Sequence, residues 1–187
     1  MLIAMAGLPG TGKSMLAHHL AHALAAIVLD KDAIRAALFP PAWVEYSTEQ
    51  DDFCMSVMFQ VSAYVLRKDP HPPVIFDGRT FSRQYQVMAL KRLAEELQTP
   101  LRIIECVCSD ETARQRLEEA ASGKERHPAE NRDYTLYLEI KARFEPINEP
   151  KLVVNTDEDL ARCLDRCLSY VRKDTSWSTP PSTSSQI

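Results

Sequence analysis

The segment at residues 7–14, GLPGTGKS, constrains the fold more than any other part of this sequence, because it matches G-x-x-x-x-G-K-[ST] at every position. An apolar run, LIAMA, precedes it, and a helical run, MLAHHLAHAL, follows it. The glycines let the backbone curl with its N–H groups pointing inward, and the start of the following helix adds positive potential. The pattern therefore predicts a strand, an anion-binding loop and a helix in immediate succession.

The chemistry of this phosphate loop assigns roles to its residues. Lys13 is expected to reach the β- and γ-phosphates of ATP, and the Ser14 hydroxyl is expected to ligate Mg²⁺. The alternative is a glycine-rich turn in which the Lys-Ser pair occurs by chance, and the complete match in the right context disfavours it. The predicted nucleotide-binding residues of the loop are Gly7, Leu8, Pro9, Gly10, Thr11, Gly12, Lys13 and Ser14.

Composition limits the partners of the chain. Of its 187 residues 45% are hydrophobic, which suits one globular α/β domain with an ordinary core. With 22 Lys and Arg against 26 Asp and Glu, the formal charge of -4 provides no overall basic field for nucleic acid or an anionic membrane. No apolar run approaches the roughly 20 residues of a membrane span, and the first one leads into the phosphate loop. We expect a cytoplasmic protein.

Short β-type runs alternate with longer helical runs along the chain, which is typical of a parallel sheet with helices on both faces. Strands are predicted at 2–6, 27–29, 73–76, 101–107 and 152–154. Helices are predicted at 13–25, 31–38, 48–68, 83–98, 110–120, 133–145 and 157–172, the last one capped by Thr156-Asp157. The α/β domain is predicted to span 1–173, and the Ser/Thr/Pro-rich segment 174–187 to be a disordered tail.

The sequence LDKDAIR places two carboxylates and a guanidinium directly after the second predicted strand. In open α/β sheets ligands bind at the carboxyl ends of the strands, so we expect Asp30 to hold a water of Mg²⁺ and Asp32 to accept a hydroxyl proton. Arg35, one helical turn beyond Asp32, is expected to face the same crevice. The alternative is purely structural, with Asp30 capping the helix and Asp32 complementing its dipole.

Together, GLPGTGKS and the LDKDAIR segment after the next strand resemble the P-loop kinases, a group that includes adenylylsulfate kinase, polynucleotide 5′-kinase, chloramphenicol phosphotransferase and the zeta-toxin-like kinases. The resemblance covers residues 1–155 in the order of elements. It implies a P-loop NTPase fold with a small lid, a general-base role for Asp32, and contact of Arg35 with the acceptor or its phosphate. These motifs are specific for the group and do not identify the acceptor.

The third predicted strand ends in Asp77, as a Walker B element does, so this carboxylate is expected to organise Mg²⁺ through water or to hold the acceptor. Gly78 allows a sharp turn after it. Arg79 and Arg83 follow on a segment that is expected to line the acceptor side, where a guanidinium can bind a phosphate or carboxylate in bidentate fashion. The alternative for either arginine is an ordinary surface charge.

The polar segment SGKERHPAENR resembles the lid of such kinases, and the lid is predicted at about 121–132. A lid excludes water from the triphosphate, and its arginines neutralise charge that develops during transfer. The candidate arginines are Arg114, Arg116, Arg126 and Arg132, with Arg114 assigned to nucleotide binding and Arg116 to catalysis. A solvated surface charge is the alternative for each. In related kinases the loop after the last strand packs against the adenine, so Thr156 is expected to bind the nucleotide.

These features predict an ATP-dependent kinase that transfers the γ-phosphoryl group, with the help of Mg²⁺, to a hydroxyl of a small-molecule acceptor. The predicted catalytic residues are Lys13, Asp32, Arg35 and Arg116. The predicted acceptor-binding residues are Asp32, Arg35, Asp77, Arg79 and Arg83, and the predicted metal ligands are Ser14 and Asp30.

Two alternatives stay open on the sequence. One is a 5′-hydroxyl kinase for a polynucleotide end or tRNA, which needs a local basic groove formed by Arg79, Arg83 and the lid. The other is a nucleotide-binding regulatory module without an acceptor, which has no need of an Asp32–Arg35 pair facing the γ-phosphate. The sequence leaves the oligomeric state undetermined.

Overall fold

A computed structural model describes residues 1–122 and 133–173 of the chain. The predicted lid at 121–132, including Arg126 and Arg132, lies almost entirely outside the described residues, and the predicted tail at 174–187 lies wholly outside them. None of the described helices is long and apolar enough to cross a membrane.

A five-stranded sheet forms the centre of the fold. All of its strand pairs are parallel, and the strand order is β2-β3-β1-β4-β5. The strands are β1 (Leu2–Ala6), β2 (Ile27–Asp30), β3 (Val74–Asp77), β4 (Leu101–Val107) and β5 (Lys151–Asn155). The predicted α/β class, P-loop NTPase architecture and parallel sheet are therefore confirmed.

Seven α-helices connect and follow the strands in the described part of the chain. They are α1 (Lys13–Leu24), α2 (Lys31–Leu38), α3 (Thr48–Lys68), α4 (Gln84–Glu96), α5 (Asp110–Ser122), α6 (Tyr134–Ala142) and α7 (Leu160–Arg172). A short 3-10 helix at Pro41–Trp43 lies between α2 and α3. Side-chain caps begin several of them: Ser47 accepts a hydrogen bond from the Gln50 N–H, and Asp133 accepts one from the Leu136 N–H.

The start of the last helix differs from the sequence prediction, which was wrong about its cap. The α7 helix begins at Leu160, and the cap is Asp159, whose carboxylate accepts hydrogen bonds from the N–H groups of Ala161 and Arg162. Three candidate cap residues occur close together here, and an Asp directly before the apolar run is the best placed of them. Thr156 is consequently free of a capping role and turns towards the phosphate loop.

Both faces of the sheet are covered. On one face, Leu2, Ala4 and Ala6 of β1 pack in a core with residues of α3 and α4. On the other face, Ile3 and Met5 pack in a core with residues of α1 and α7. Side chains alternate between the two faces of a strand, and both faces are covered here, so every residue of β1 is buried. An uninterrupted apolar run such as LIAMA is typical of a central parallel strand.

This architecture brings three strand ends together at one edge of the sheet. The phosphate loop follows the carboxyl end of β1. Asp30 and Asp77 are the last residues of β2 and β3, and the two are in register with each other. Gly78, directly after β3, has a φ of 83°, and a Cβ there would lie 2.9 Å from Asp30 Oδ1. The two carboxylate-bearing strand ends can therefore approach each other only because residue 78 has no side chain.

Candidate active site

The phosphate loop closes on itself through two short hydrogen bonds. Lys13 Nζ and Thr11 Oγ1 each donate to the Leu8 carbonyl, both at 2.7 Å. Gly7 has a φ of 127°, and a Cβ at this residue would lie 2.2 Å from the Cys106 carbonyl of β4. The loop thus wraps against the neighbouring strand at a distance that only glycine permits.

Arg116 and Thr156 brace the phosphate loop from outside. Thr156 Oγ1 donates to the Thr11 carbonyl at 3.0 Å and accepts from Arg116 Nη1 at 2.9 Å. Arg116 Nη2 donates to the Thr156 carbonyl at 2.8 Å, and Nη1 lies 3.4 Å from the Gly10 carbonyl. The structure therefore places both predicted residues beside the loop, where their groups contact its backbone.

Arg114 lies elsewhere. Its Nε pairs with Glu118 Oε1 at 2.9 Å on the exposed surface of α5, and its guanidinium lies 5.6 Å from the centre of the Tyr134 ring. The Glu118 carboxylate raises the pKa of Arg114 above its already high ordinary value. The predicted nucleotide-binding role of Arg114 stays a prediction, since in this conformation its described partners are on α5 and α6.

Two thiols close to the phosphate loop are uncharged at neutral pH. Burial raises the pKa of Cys106 to about 12, and burial also raises the pKa of Cys108, whose Sγ lies 4.0 Å from the Gly10 carbonyl. A thiol becomes a strong nucleophile or metal ligand when its pKa is lowered. These cysteines therefore act as packing groups beneath the loop.

The strand-end carboxylates differ in how they are satisfied. Asp30 Oδ1 accepts hydrogen bonds from the Asp32 and Ala33 N–H groups, so Asp30 caps α2 as the structural alternative predicted. Asp77 is 1% exposed, and neither of its carboxylate oxygens has a hydrogen-bond partner among the described residues. A buried carboxylate without partners is unfavourable unless a cation or a donor satisfies it. Asp77 therefore fits a cation better than Asp30 does.

A buried ion cluster surrounds Asp32. Its Oδ1 lies 2.6 Å from Arg35 Nη1 and 3.2 Å from Lys31 Nζ. Asp51 of α3 completes the cluster, since its Oδ1 pairs with Lys31 at 2.7 Å and also with Arg35 Nη2. Arg35 is only 2% exposed and lies 5.4 Å from the centre of the Tyr46 ring. Two cations and two anions balance, and Arg35 is enclosed within the cluster.

A cavity of about 330 Å³, hereafter the polar pocket, joins the phosphate loop to this ion cluster. Its lining includes Pro9 and Lys13 of the loop, Asp32 of α2 and Asp51 of α3. The remaining walls come from the segment 78–83, the first turn of α4, and α6. One cavity therefore brings together the lysine expected at the γ-phosphate and the carboxylate expected to act as a base.

The two predicted acceptor-side arginines also line the polar pocket, and both are paired. Arg79 is 4% exposed, and its Nη2 pairs with Asp52 and lies 3.3 Å from Tyr85 Oη. Arg83 is half-buried, and its Nη1 lies 2.9 Å from Glu145 Oε1. Arg79 is thus a buried, paired charge, whereas Arg83 forms a half-exposed ion pair at the rim of the pocket, and the acceptor-binding role of both stays a prediction.

The segment 78–83 is tied to the phosphate loop. The Gly7 N–H donates to the Thr80 carbonyl at 3.0 Å, so the two segments share a backbone hydrogen bond. Phe81 is in the left-handed region, with a φ of 52°, and is 1% exposed in the core. A non-glycine residue in this region is strained, and burial of the ring holds it there. The segment 78–83 is thus anchored beside the polar pocket by the Thr80 carbonyl and by the buried Phe81 ring.

Sequence reasoning missed several residues that shape the polar pocket, and six of them are charged or pair with its charged lining. They are Lys31, Asp51, Asp52, Tyr85, Arg143 and Glu145. Asp51 lies in the first turn of α3 and Asp52 directly follows it, where an acidic residue is equally well explained by the helix dipole. In the sequence they appear only as two adjacent acidic residues, and the way their side chains face depends on how α3 packs.

Comparison with known families gives a match over most of the chain. The AAA_33 family, described as an AAA domain, matches residues 2–147. No curated protein matches the sequence.

Several solved structures share this fold. A sugar kinase from Janibacter sp. HTCC2649 is 16% identical, with a TM-score of 0.67, and the match covers 95% of this chain and 98% of the other. A gluconokinase from Sinorhizobium meliloti 1021 is 15% identical, with a TM-score of 0.66 and coverage of 90% of each chain.

The APS kinase CysC of Mycobacterium tuberculosis, solved with AMPPNP and APS, is 16% identical, with a TM-score of 0.65 and coverage of 91% of this chain and 96% of the other. At these identities the similarity concerns the fold. The match over residues 2–147 and the parallel sheet with its phosphate loop lead to one conclusion: the chain belongs to the AAA_33 family and has the fold of the P-loop kinases.

Proposed function

We propose that this protein is an ATP-dependent phosphotransferase that acts on a hydroxyl group of a small molecule. The observation that carries the proposal is the polar pocket, which has Lys13 of the phosphate loop on one side and Asp32 on another. A regulatory nucleotide-binding module needs the loop and has no need of a second polar cavity beside it. The structural neighbours described as kinases for gluconate, a sugar and APS support the same reading.

The phosphate loop would bind the triphosphate. Its backbone N–H groups and Lys13 are suited to the β- and γ-phosphates, which requires Lys13 Nζ to leave the Leu8 carbonyl that it contacts at 2.7 Å. Arg116 and Thr156 hold the outer side of the loop, so their contribution to binding is to keep the loop in shape. This preorganisation lowers the cost of ordering the loop around the nucleotide.

The residues at the strand ends fit Mg²⁺. The Ser14 hydroxyl at the start of α1 and the Asp77 carboxylate, buried and without a described partner, are oxygen ligands of the kind that Mg²⁺ prefers. Asp30, in register with Asp77, is available to the metal's water shell through the oxygen that does not cap α2. When bound with ATP, the ion neutralises negative charge on the phosphates.

Asp32 would orient the acceptor and take its proton. Arg35 and Lys31 contact Asp32 Oδ1 and hold the carboxylate in one position. As the acceptor oxygen bonds to the γ-phosphorus, the bond from that phosphorus to the bridging oxygen breaks, ADP leaves, and the hydroxyl proton passes to Asp32. Because Arg35 is enclosed between two carboxylates and Tyr46, its role here is to position Asp32.

The test separates binding from transfer. We expect Asp32→Asn to keep ATP affinity while transfer falls about 10²-fold or more, because the amide cannot take a proton. Lys13→Ala should lose ATP affinity as well. Calorimetric titration with ATP·Mg²⁺ and a turnover assay measure the two quantities, with the exposed Asp165→Asn as the control. Unchanged turnover in Asp32→Asn contradicts the base assignment, and ATP binding without turnover on any acceptor contradicts the kinase proposal.

A further inference from the structure

The part of the polar pocket formed by the segment 78–83, α4 and α6 differs in charge from the part around Asp32. We call the set of Arg79, Arg83, Tyr85, Gln86 and Arg143 the α4–α6 wall. The ion cluster around Asp32 is balanced, with two cations and two anions. Apart from Lys13 of the phosphate loop, the net charge of the polar pocket is therefore set by the α4–α6 wall.

One positive charge is left over at the α4–α6 wall. Its three guanidinium groups meet two carboxylates, since Asp52 pairs with Arg79 and Glu145 pairs with Arg83. Among the described residues no carboxylate pairs with Arg143, which lies exposed at the carboxyl end of α6. The first turn of α4 contains no acidic residue of its own, and the Gln84 N–H at its start is bound by Glu145, so the surplus comes from the arginines.

The wall also contains polar atoms that lack partners. Arg79 is 4% exposed, and its Nε is buried without a hydrogen-bond partner in the described structure. The Gln86 Oε1 is likewise buried without one. The first atom is a donor and the second an acceptor, and leaving either unpaired is unfavourable. Both residues line the polar pocket, so a ligand there meets a wall of polar side chains.

Glu145 leaves Arg83 able to bind such a ligand. Its Oε2 accepts the Gln84 N–H at 2.7 Å, and its Oε1 contacts only one terminal nitrogen of Arg83. The Gln84 N–H and the Arg83 guanidinium hold the pKa of Glu145 below its ordinary value, so the carboxylate stays charged and keeps Arg83 in place. A guanidinium held by one edge keeps further N–H donors for a second anion.

From these observations we infer that the acceptor is a small polyhydroxylated compound with one acidic group, a carboxylate or a phosphate, which binds between Arg83 and Arg143. This inference rests on the proposed function and names its substrate class. A cavity of about 330 Å³ is at the lower end of the range for small-molecule sites. A surplus of a single charge suits one acidic group and is too small for a polyanionic strand.

The experiment compares acceptors of matched size. The protein is incubated with γ-labelled ATP, Mg²⁺ and, separately, aldonates, sugar phosphates, uncharged alditols of the same chain lengths, and short oligonucleotides with free 5′-hydroxyls. Label in the aldonates supports a carboxylate, and label in the sugar phosphates supports a phosphate. Equal or greater transfer to alditols overturns the inference while the phosphotransferase proposal stands. Transfer to oligonucleotides alone overturns the inference and also the small-molecule part of that proposal. Transfer to none of them overturns both.

A variant then assigns the anion to its residue. Arg143→Gln should raise KM for the best acidic acceptor roughly tenfold or more, because a hydrogen bond to a charged group is lost, and should change kcat much less. The KM for the alditol of the same length should not change. The control is Arg92→Gln, which removes an exposed arginine of α4 outside the pocket lining. An unchanged KM for the acid in Arg143→Gln overturns the assignment.

Discussion

The phosphate loop takes its binding groups from eight consecutive residues, 7–14, whereas the polar pocket collects side chains from α2, α3, α4, α6 and the segment 78–83. The loop acts mainly through backbone N–H groups, whose direction follows from local φ and ψ values. The polar pocket acts through side chains whose partners are far apart in the chain, such as Arg79 with Asp52 and Arg83 with Glu145. A backbone site is therefore sensitive to added atoms, and a side-chain site is sensitive to lost charges.

The largest expected effect in this comparison is that of Gly7→Ala. The new Cβ would lie 2.2 Å from the Cys106 carbonyl, a backbone atom in a central strand that cannot move away. We expect a loss of about 3 kcal/mol in the free energy of unfolding, together with loss of ATP binding. Chemical denaturation and calorimetric titration measure the two effects.

Gly12→Ala is the matched control for this variant. Gly12 has a φ of 76°, but the nearest atom to its added Cβ, Arg116 Nη1, is 3.4 Å away. We therefore expect only the strain of a left-handed conformation, about 1 kcal/mol. Equal losses in the two variants would show that backbone strain, and not the approach of the loop to β4, decides the effect.

A smaller effect is expected from Asp51→Asn, which probes the polar pocket. The change removes a charge that contacts both Lys31 and Arg35, and Arg35 is 2% exposed. Because Asp51 itself is about a quarter exposed, we expect a loss of roughly 2 kcal/mol, below that of a fully buried pair. Denaturation measures it.

Glu49→Gln is the control, since it removes one negative charge from the same first turn of α3. If helix-dipole complementarity were the main role of Asp51, the two variants would lose the same stability. If Asp51 instead belongs to the buried ion cluster, Asp51→Asn should lose clearly more stability than Glu49→Gln. ATP affinity should be retained in both variants, because the residues of the phosphate loop are untouched.

The smallest effect concerns pH and Glu145. The Gln84 N–H, followed by Arg83, lowers the pKa of this carboxyl below its usual 4.5. A lowered folded-state pKa contributes stability that is present above the usual value and is lost as the pH falls through the folded value. We expect Glu145→Gln to have a lower Tm than the parent at neutral pH, with the difference shrinking below pH 4.5. Thermal melts across this range measure it, with the exposed Glu139→Gln as a control. A difference that stays constant with pH would contradict the assignment.

The sequence by itself determined the parallel α/β fold, the phosphate loop, the strand-end positions of Asp30 and Asp77 and the place of Asp32 just after β2, because these depend on local periodicity and on consecutive residues. The bounds of α3 were predicted accurately, whereas the start of α7 was not, because several candidate cap residues compete there. Local patterns carry such information without knowledge of distant contacts.

Only the tertiary structure decided how the side chains of the polar pocket are paired. It brought Asp51 to Arg35, left Arg143 without a carboxylate among the described residues, and turned Arg116 and Thr156 towards the loop backbone. The physical reason is that an ion pair depends on distances between elements, which are set by how helices pack on the sheet. Sequence spacing fixes the direction of a side chain within its own helix, but it does not determine which residue that side chain pairs with.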